Sequence, residues 1–389
     1  MATGTSLRPE SDQDSLAIRQ HFRRLRDPRR RRLRLHNLLD LVVIALCGVL
    51  CGAQDWQQIV TFARGRHDWL KRFCALPHGI PSHDTFERVF DRINPQVFAA
   101  CFRDWIAAAC GALKVKQVAL DGKSLRHSGK GGLGMLHVVS AWATANRLIL
   151  GEVACAEKSN EITAIPQLLR LLHLQGAIVT IDAMGCQKEI AAQIRRQQGH
   201  YVLALKENHP GLLGDVQQAV AAHAEQMKPN DGSCLETVDQ GHGRQERRLY
   251  TLIQDLSQVK NREQWADLTA IVTVLSERTV NGATSWEMRY YLTSYPGTLA
   301  ELAEVIRGHW GIENQCHWVL DVTFGEDRSA QRAEHGAVNV AWLRRMALSL
   351  LSNEPTPKLN LKQKSRRALC DHDFLLKVLS PIIGSHEDT

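Results

Sequence analysis

The sequence contains no C-x-x-C pair, although ten cysteines and 17 histidines are scattered through its 389 residues. Paired ligands at short spacing are the mark of structural zinc, so their absence argues against such a site. Cys47 and Cys51 sit in an apolar stretch and read as core. The cluster His309, Cys316 and His317 has no second pair to complete a tetrahedral set. The cysteines also show no disulfide-like framework. No apolar run reaches the ~20 residues of a membrane-spanning helix. The longest, Leu38 to Ala53, is broken by Asp40 and reads as a buried helix. Met1 to Gln20 is polar and lacks the apolar segment of a secretory leader. The expectation is therefore a reducing cytoplasm, with no membrane partner.

What is present is positive charge. Lysine and arginine number 48 against 41 acids, a formal net charge of +7. A basic surface favours nucleic acid or an anionic membrane. Eight arginines fall between residues 23 and 34: Arg23, Arg24, Arg26, Arg29, Arg30, Arg31, Arg32 and Arg34. Such density repels itself unless neutralised. It is either a solvated basic arm or a contact for DNA phosphates, with Arg29, Arg30, Arg31 and Arg32 as its densest run. Hydrophobic content of 44% and charged content of 23% suit a globular chain of two or three domains.

Val118-Ala119-Leu120-Asp121-Gly122-Lys123-Ser124 runs from three apolar residues into an acid and a glycine. The pattern predicts a buried strand with one carboxylate at its end. Ile178-Val179-Thr180-Ile181-Asp182-Ala183-Met184-Gly185 repeats it. A carboxylate there is costly to desolvate without a cation. One such aspartate reads equally as a turn cap; two in a basic chain point to a divalent-metal site. A third acid, Glu313, lies in His309-Trp310-Gly311-Ile312-Glu313-Asn314-Gln315-Cys316-His317-Trp318. Helical spacing places Trp310, Glu313, Cys316 and His317 on one face. Glu313 is either a metal ligand or the partner of Arg307 in a buried salt bridge. An all-oxygen set suits Mg²⁺ or Mn²⁺ rather than zinc. Two such ions would offset the repulsion among three acids and support in-line attack at a phosphodiester.

Periodicity divides the chain. Residues 1–112 read as helical with a basic entrance. From Lys114 short strands follow, at Gln117–Asp121, Leu136–Ala143 and Arg147–Ala154. A helix over Asn160–Leu172, a strand Ala177–Asp182, a helix Gln187–Gln197 and a strand Tyr201–Leu205 come next. Three strands joined by short turns suit an antiparallel meander, and strand-helix-strand units suit parallel pairing. The first two acids meet if the first and fourth strands are neighbours. Residues 207–295 read as a β-rich insertion, with a hairpin turn at Asn281-Gly282. Helix returns over 296–352. Residues 353–389 read as a basic tail whose linker carries Lys358, Lys362, Lys364, Arg366 and Arg367. Gly129-Lys130-Gly131-Gly132-Leu133-Gly134 fits G-x-G-x-x-G but opens into a strand, so it reads as a hairpin loop.

Five strings in order carry a resemblance: Leu120-Asp121-Gly122-Lys123-Ser124-Leu125-Arg126, Lys158-Ser159-Asn160-Glu161-Ile162, Thr180-Ile181-Asp182-Ala183-Met184, His309 to Asn314, and His317-Trp318-Val319-Leu320-Asp321-Val322. Together they resemble the bacterial insertion-sequence transposases of the H-repeat-associated type, within the DDE superfamily. The resemblance spans most of the chain. It implies an α/β fold with a ribonuclease-H-like mixed sheet and helices, interrupted by a β-rich insertion and preceded by an all-helical N-terminal domain. The catalytic core would then be split between 113–206 and 296–352, with 1–112 binding DNA ends. It implies Mg-dependent cutting and joining at inverted-repeat ends, with Asp121, Asp182 and Glu313 as ligands of two Mg²⁺ or Mn²⁺ ions. Double-stranded DNA, both element ends and target, is the implied partner, and synapsis of two ends implies a homodimer. Lys123, Arg126 and Lys158 fall where phosphate contacts would lie. His309 and Trp310 are further DNA-contact candidates, with Trp310 either stacking on an unpaired base or belonging to the core. Related cut-and-paste families place Tyr, Arg and Lys around that glutamate; this chain has Ile306, His309 and Leu320, so Asp321, Glu326 and Asp327 stand as alternatives to Glu313 for the third acid. The rival functions are a relic that only binds DNA and a metal-dependent nuclease without joining activity.

Overall fold

The computed structural model describes residues 17–110, 115–125, 136–155, 161–226, 232–241, 243–329 and 334–383. Arg126, Lys158 and the Gly129–Gly134 loop lie outside the described residues.

The chain begins with helices α1 (Ala17–Phe22), α2 (Leu38–Leu50), α3 (Trp56–Gly65), α4 (His67–Leu70), α5 (His83–Phe90) and α6 (Pro95–Cys110). Local chemistry sets their starts. The Asn37 side chain accepts from Leu39 N, and the Asp55 side chain from Gln58 N, each satisfying a donor that the first helical turn leaves open. Helix α2 is apolar on every side, so it is buried on every side. Asp40, which interrupts that run, is buried too and accepts from Ala75 N at 3.1 Å. On α5 only Phe86, Val89 and Phe90 are buried, the i, i+3, i+4 stripe of an amphipathic helix.

Among the described residues nine strands form a single sheet. β1 (Gln117–Leu125), β2 (Leu136–Ala143) and β3 (Leu148–Cys155) make an antiparallel meander, as expected from their short turns. α7 (Glu161–Leu169) leads to β4 (Ile178–Ile181), and α8 (Lys188–Arg196) leads to β5 (His200–Leu205). β4 joins β1 in parallel and β5 joins β4 in parallel. After α9 (Pro210–Gln226), the strands β6 (Cys234–Gly241), β7 (Arg244–Ile253), β8 (Ala270–Val280) and β9 (Ala283–Thr293) continue the same sheet. The full order is β3-β2-β1-β4-β5-β9-β8-β7-β6. The β8–β9 turn carries Asn281 at φ 50° and Gly282 at φ 80°, the left-handed pair that a tight hairpin needs.

Helices cover both faces. α7, α8 and α9 pack Ile165, Leu168, Ile190, Ile194 and Val216 against one face. On the other lie α10 (Leu299–His309), a π-helix at Ile312–His317, α11 (Trp318–Val322) and α12 (Glu334–Asn353). α12 shares one core with the N-terminal helices, and the Asn339 amide donates to Phe90 O and Ile93 O at 2.8 and 2.9 Å. The same core takes in Ala368 of α13 (Leu361–Cys370) and Phe374, Leu375 and Leu379 of α14 (His372–Ile383).

Four elements differ from expectation. β1 does not stop at Asp121; it pairs with β2 as far as Leu125↔Leu136. The stretch read as a basic linker is helix α13, started by a reciprocal cap in which Asn360 and Gln363 each receive the other's backbone N–H. β6 and α9 were not anticipated. β6 is an edge strand with mostly exposed side chains, so it lacks the alternation that marks a half-buried strand.

Candidate active site

The register of β1 against β4 builds the site. The two strands pair in parallel through Leu120↔Ile181, so the next residues along them are Asp121 and Asp182. Neighbouring strands lie ~4.8 Å apart, which sets the two carboxylates side by side. β4 ends at that point. Asp182 caps a short turn, Ala183–Gly185, accepting from Met184 N at 3.2 Å. Asp121 accepts from its neighbour Gly122 N at 2.9 Å. The pair is under electrostatic stress. Desolvation by the surrounding protein, and then the Asp121 charge, raise the Asp182 carboxyl above its ordinary pKa, against the pull of two backbone N–H groups and His309.

Strand alternation sends Leu120 and Gly122 to the α7 face and Asp121 and Lys123 to the other. Under Gly122 lies the buried Glu161 of α7. A Cβ on Gly122 would stand 2.5 Å from the Glu161 carboxyl carbon, so any larger residue there would have to displace that carboxylate.

On the opposite face α10 approaches closely. It opens with a capping box between Thr298 and Glu301. A Cβ on Gly308 would fall 2.4 Å from Gln117 Oε1, so this glycine permits the approach. The Gln117 side-chain amide donates to Val305 O at 2.7 Å. Thr180 Oγ1 is hydrogen-bonded to His309 Nδ1 at 2.9 Å. Burial lowers the pKa of His309, while Asp121, Asp182 and Glu313 together pull it up. His309 thus lies in the field of all three acids.

Glu313 lies on the π-helix Ile312–His317. Such turns wind about one residue wider than an α-helix and cluster at functional sites. The wider turn overturns the expected shared face. Cys316 and His317 are buried, whereas Glu313 and Trp310 are exposed. The turn reaches the first acid, with His317 Nδ1 3.4 Å from Asp121 Oδ2. Arg307 pairs with Asp239 at 3.2 Å rather than with Glu313. The structure therefore brings Asp121 and Asp182 together and lays the Glu313 turn against Asp121. Among the described residues no three His, Cys, Asp or Glu side chains already surround a common metal-sized point.

Lys123 is not available to a phosphate. Its side chain is 9% exposed, and its ammonium lies 2.5 Å from Asp321 Oδ1 and 2.9 Å from Glu326 Oε2. It also reaches the His317 carbonyl, at the end of the π-turn, at 3.5 Å. Buried Arg345 joins Glu326 at 2.5 Å and also pairs with Glu152. Glu152 in turn accepts from Ser140, the β2 partner of Asp121, at 2.7 Å. This circuit of ion pairs ties the strand of the first acid to the segment after the third. It also engages Asp321 and Glu326, two of the acids considered in place of Glu313.

Of the remaining candidates, Arg29 is turned inward onto Asp27 at 2.7 Å, whereas Arg30, Arg31 and Arg32 are exposed. Trp310 is 39% exposed, with the Arg289 guanidinium 5.1 Å above its ring, so it is not a core residue. Gln117 and Gly308 have no role in the sequence reading; Glu161 and Thr180 stand in it only inside longer strings, and His317 only beside Cys316 and on the helical face of Glu313. Gly308, beside His309, offers a signal as a glycine inside a helical pattern.

Comparison with known proteins adds the family. The transposase DDE domain matches residues 114–350, and a domain associated with it matches residues 19–106. The "H repeat-associated putative transposase YhhI" of Escherichia coli K12 is 35% identical over 352 residues, covering 89% of this chain and 93% of its own. An uncharacterized protein from the dhlA 3′ region of Xanthobacter autotrophicus is 42% identical over 277 residues, covering 70% of this chain and 93% of its own. A piggyBac transposase synaptic complex with hairpin DNA superposes with a TM-score of 0.38 at 10% identity, over 97% of this chain and 80% of that one.

Proposed function

The chain belongs to the bacterial DDE transposases of the H-repeat-associated type, and on that premise we propose that it cuts and joins DNA at the inverted-repeat ends of an insertion sequence, with Asp121, Asp182 and Glu313 as its metal-binding acids. The observation that carries the reading is the meeting of β1, β4 and the π-turn: strand register sets Asp121 beside Asp182, and His317 joins Asp121 to the turn that bears Glu313.

The residues present fit a hard divalent cation. The donors are carboxylates, Asp182 is held above its ordinary pKa by desolvation and a neighbouring acid, and the nearest lysine is engaged elsewhere. When bound there, two Mg²⁺ or Mn²⁺ ions would supply Lewis-acid polarisation of the scissile phosphate and a more acidic water or 3′-hydroxyl. The protein's own part is placement. Asp121 and Asp182 are held by paired strands, and Glu313 by a turn pinned beneath by buried Ile312 and Cys316. Burial keeps His309 toward its neutral form, so the imidazole adds little positive charge to compete with a cation.

We read β3-β2-β1-β4-β5, antiparallel and then parallel, as a ribonuclease-H-like core, with 207–295 as an insertion and 1–112 as the DNA-end-binding part. Double-stranded DNA at the nucleoid is the partner, and pairing of two ends makes the working form a homodimer. The test is incubation of the protein with duplexes carrying the element's terminal repeats and Mg²⁺, scored for strand cleavage and for joining to a target. Cleavage and joining that stop on chelation are expected. Cleavage without joining would make the protein a nuclease, and binding without cleavage in either metal would leave only a DNA-binding protein.

A further inference from the structure

The arginine-rich stretch is a built loop rather than a free arm. Asp27 is its centre. Arg29 N and Nε both donate to Asp27 Oδ1 at 3.0 Å, and Arg29 Nη2 donates to Oδ2 at 2.7 Å. The same Nη2 donates to His36 O at 2.6 Å, closing the loop on itself just before the Asn37 cap of α2. Arg34 completes the brace, donating from Nε to Arg29 O at 2.9 Å and from Nη2 to Asp27 O at 3.1 Å. The Asp27 and Arg29 side chains are only 11% and 9% exposed. Between these braces the chain makes one 3-10 turn, Arg31–Leu33, with no buried residue. Arg30, Arg31 and Arg32 are exposed on it, and among the described residues no acid pairs with them.

A run of arginines repels itself and in isolation would sample many conformations. Here one carboxylate, the inward Arg29 guanidinium and the more exposed Arg34 guanidinium fix the backbone, so three outward charges are presented without the entropic cost of ordering them on contact. Bidentate arginine–carboxylate pairing is the geometry suited to such a brace.

We propose that residues 27–36 form a pre-built clamp for the DNA phosphate backbone, in which Arg30, Arg31 and Arg32 make the contacts while Asp27, Arg29 and Arg34 position them. The proposal rests on the DNA reading above and adds to it an acid that helps bind a polyanion. It inverts a simple charge argument. Removing Asp27 makes the chain more positive, which by net charge alone strengthens DNA binding; loss of the brace weakens it.

The test is duplex DNA binding by fluorescence anisotropy across a salt series, with the full chain and with thermal unfolding measured in parallel. The Arg30→Ala, Arg31→Ala, Arg32→Ala triple variant should flatten the log–log salt slope by about 2.7, at ~0.9 per phosphate contact. Asp27→Ala should weaken binding several-fold and flatten the slope although it adds a net positive charge. Arg29→Lys keeps the charge but loses the bidentate fork, and should weaken binding in the same direction. Asp27→Ala and Arg29→Lys variants that are folded and bind as tightly as the parent, or more tightly, would overturn the clamp, as would a triple variant with an unchanged slope. Failure of the unmodified chain to bind any duplex would instead remove the DNA reading beneath it.

Discussion

At the scale of single residues, the region around Asp121 is set by what its neighbours lack or carry. Gly122 leaves room for the Glu161 carboxyl group. Gly122→Ala should cost about 1–3 kcal/mol in denaturant unfolding, the usual penalty for overpacking. Combined with Glu161→Ala, the loss should be clearly smaller than the sum of the single losses, because the two side chains contend for one space. Additive losses would mean the contact is not the cause. Lys123 holds Glu326, which is buried at 5% exposure. Burial alone would raise the Glu326 pKa; the charges of Arg345 and Lys123 more than reverse this and bring it to about 2. A depressed folded-state pKa stabilises above the unfolded value of 4.5, and that contribution is lost as pH falls toward about 2. The stability gap between the parent and Glu326→Gln should therefore be constant above about pH 5 and close over the window below it. A gap that persists unchanged at pH 2 would contradict the ion-pair account. Lys123→Met takes one cation from buried Glu326, which keeps Arg345, and from half-buried Asp321, and should cost about 3 kcal/mol in denaturant unfolding.

At the scale of elements, the sequence was most readable where periodicity and turn chemistry agree. The β1–β3 meander, the parallel sense of β4 and β5 and the Asn281-Gly282 hairpin all follow from such local signals, but which strand β4 joins does not. The two aspartates were visible because each follows an apolar strand. Their adjacency was not, since it depends on β1 and β4 pairing across 61 residues of chain, the difference between positions 182 and 121. The π-turn was invisible for another reason: a spacing argument presumes 3.6 residues per turn, and the turn carrying Glu313 does not keep to it. Helix α13 is hard to read from sequence because its lysines and arginines leave little apolar periodicity, and only Asn360 and Gln363 mark its start. Asn360→Ala should destabilise the protein by about 1 kcal/mol, the usual value of such a cap. The exposed Lys362→Ala should stay within about 0.5 kcal/mol. Equal effects of the two variants in a denaturant titration would show that the cap does not hold the helix.

At the scale of the whole molecule, one sheet and one shared core join distant parts of the chain. The N-terminal helices pack with α12, α13 and α14, and β6 to β9 extend the sheet that carries the acids. Site and framework are thus coupled: the circuit through Lys123, Glu326, Arg345 and Glu152 runs from β1 to α12 and back to β3. In the proposed function Asp121, Asp182 and Glu313 serve one metal-dependent reaction on DNA. The decisive measurement is Mg²⁺-dependent strand cleavage by Asp121→Asn, Asp182→Asn and Glu313→Gln, each with DNA affinity determined on the same preparation. All three variants should bind duplex DNA within a few-fold of the parent, and none should cleave it. Cleavage at the parental rate by the Asp182→Asn variant would contradict this assignment.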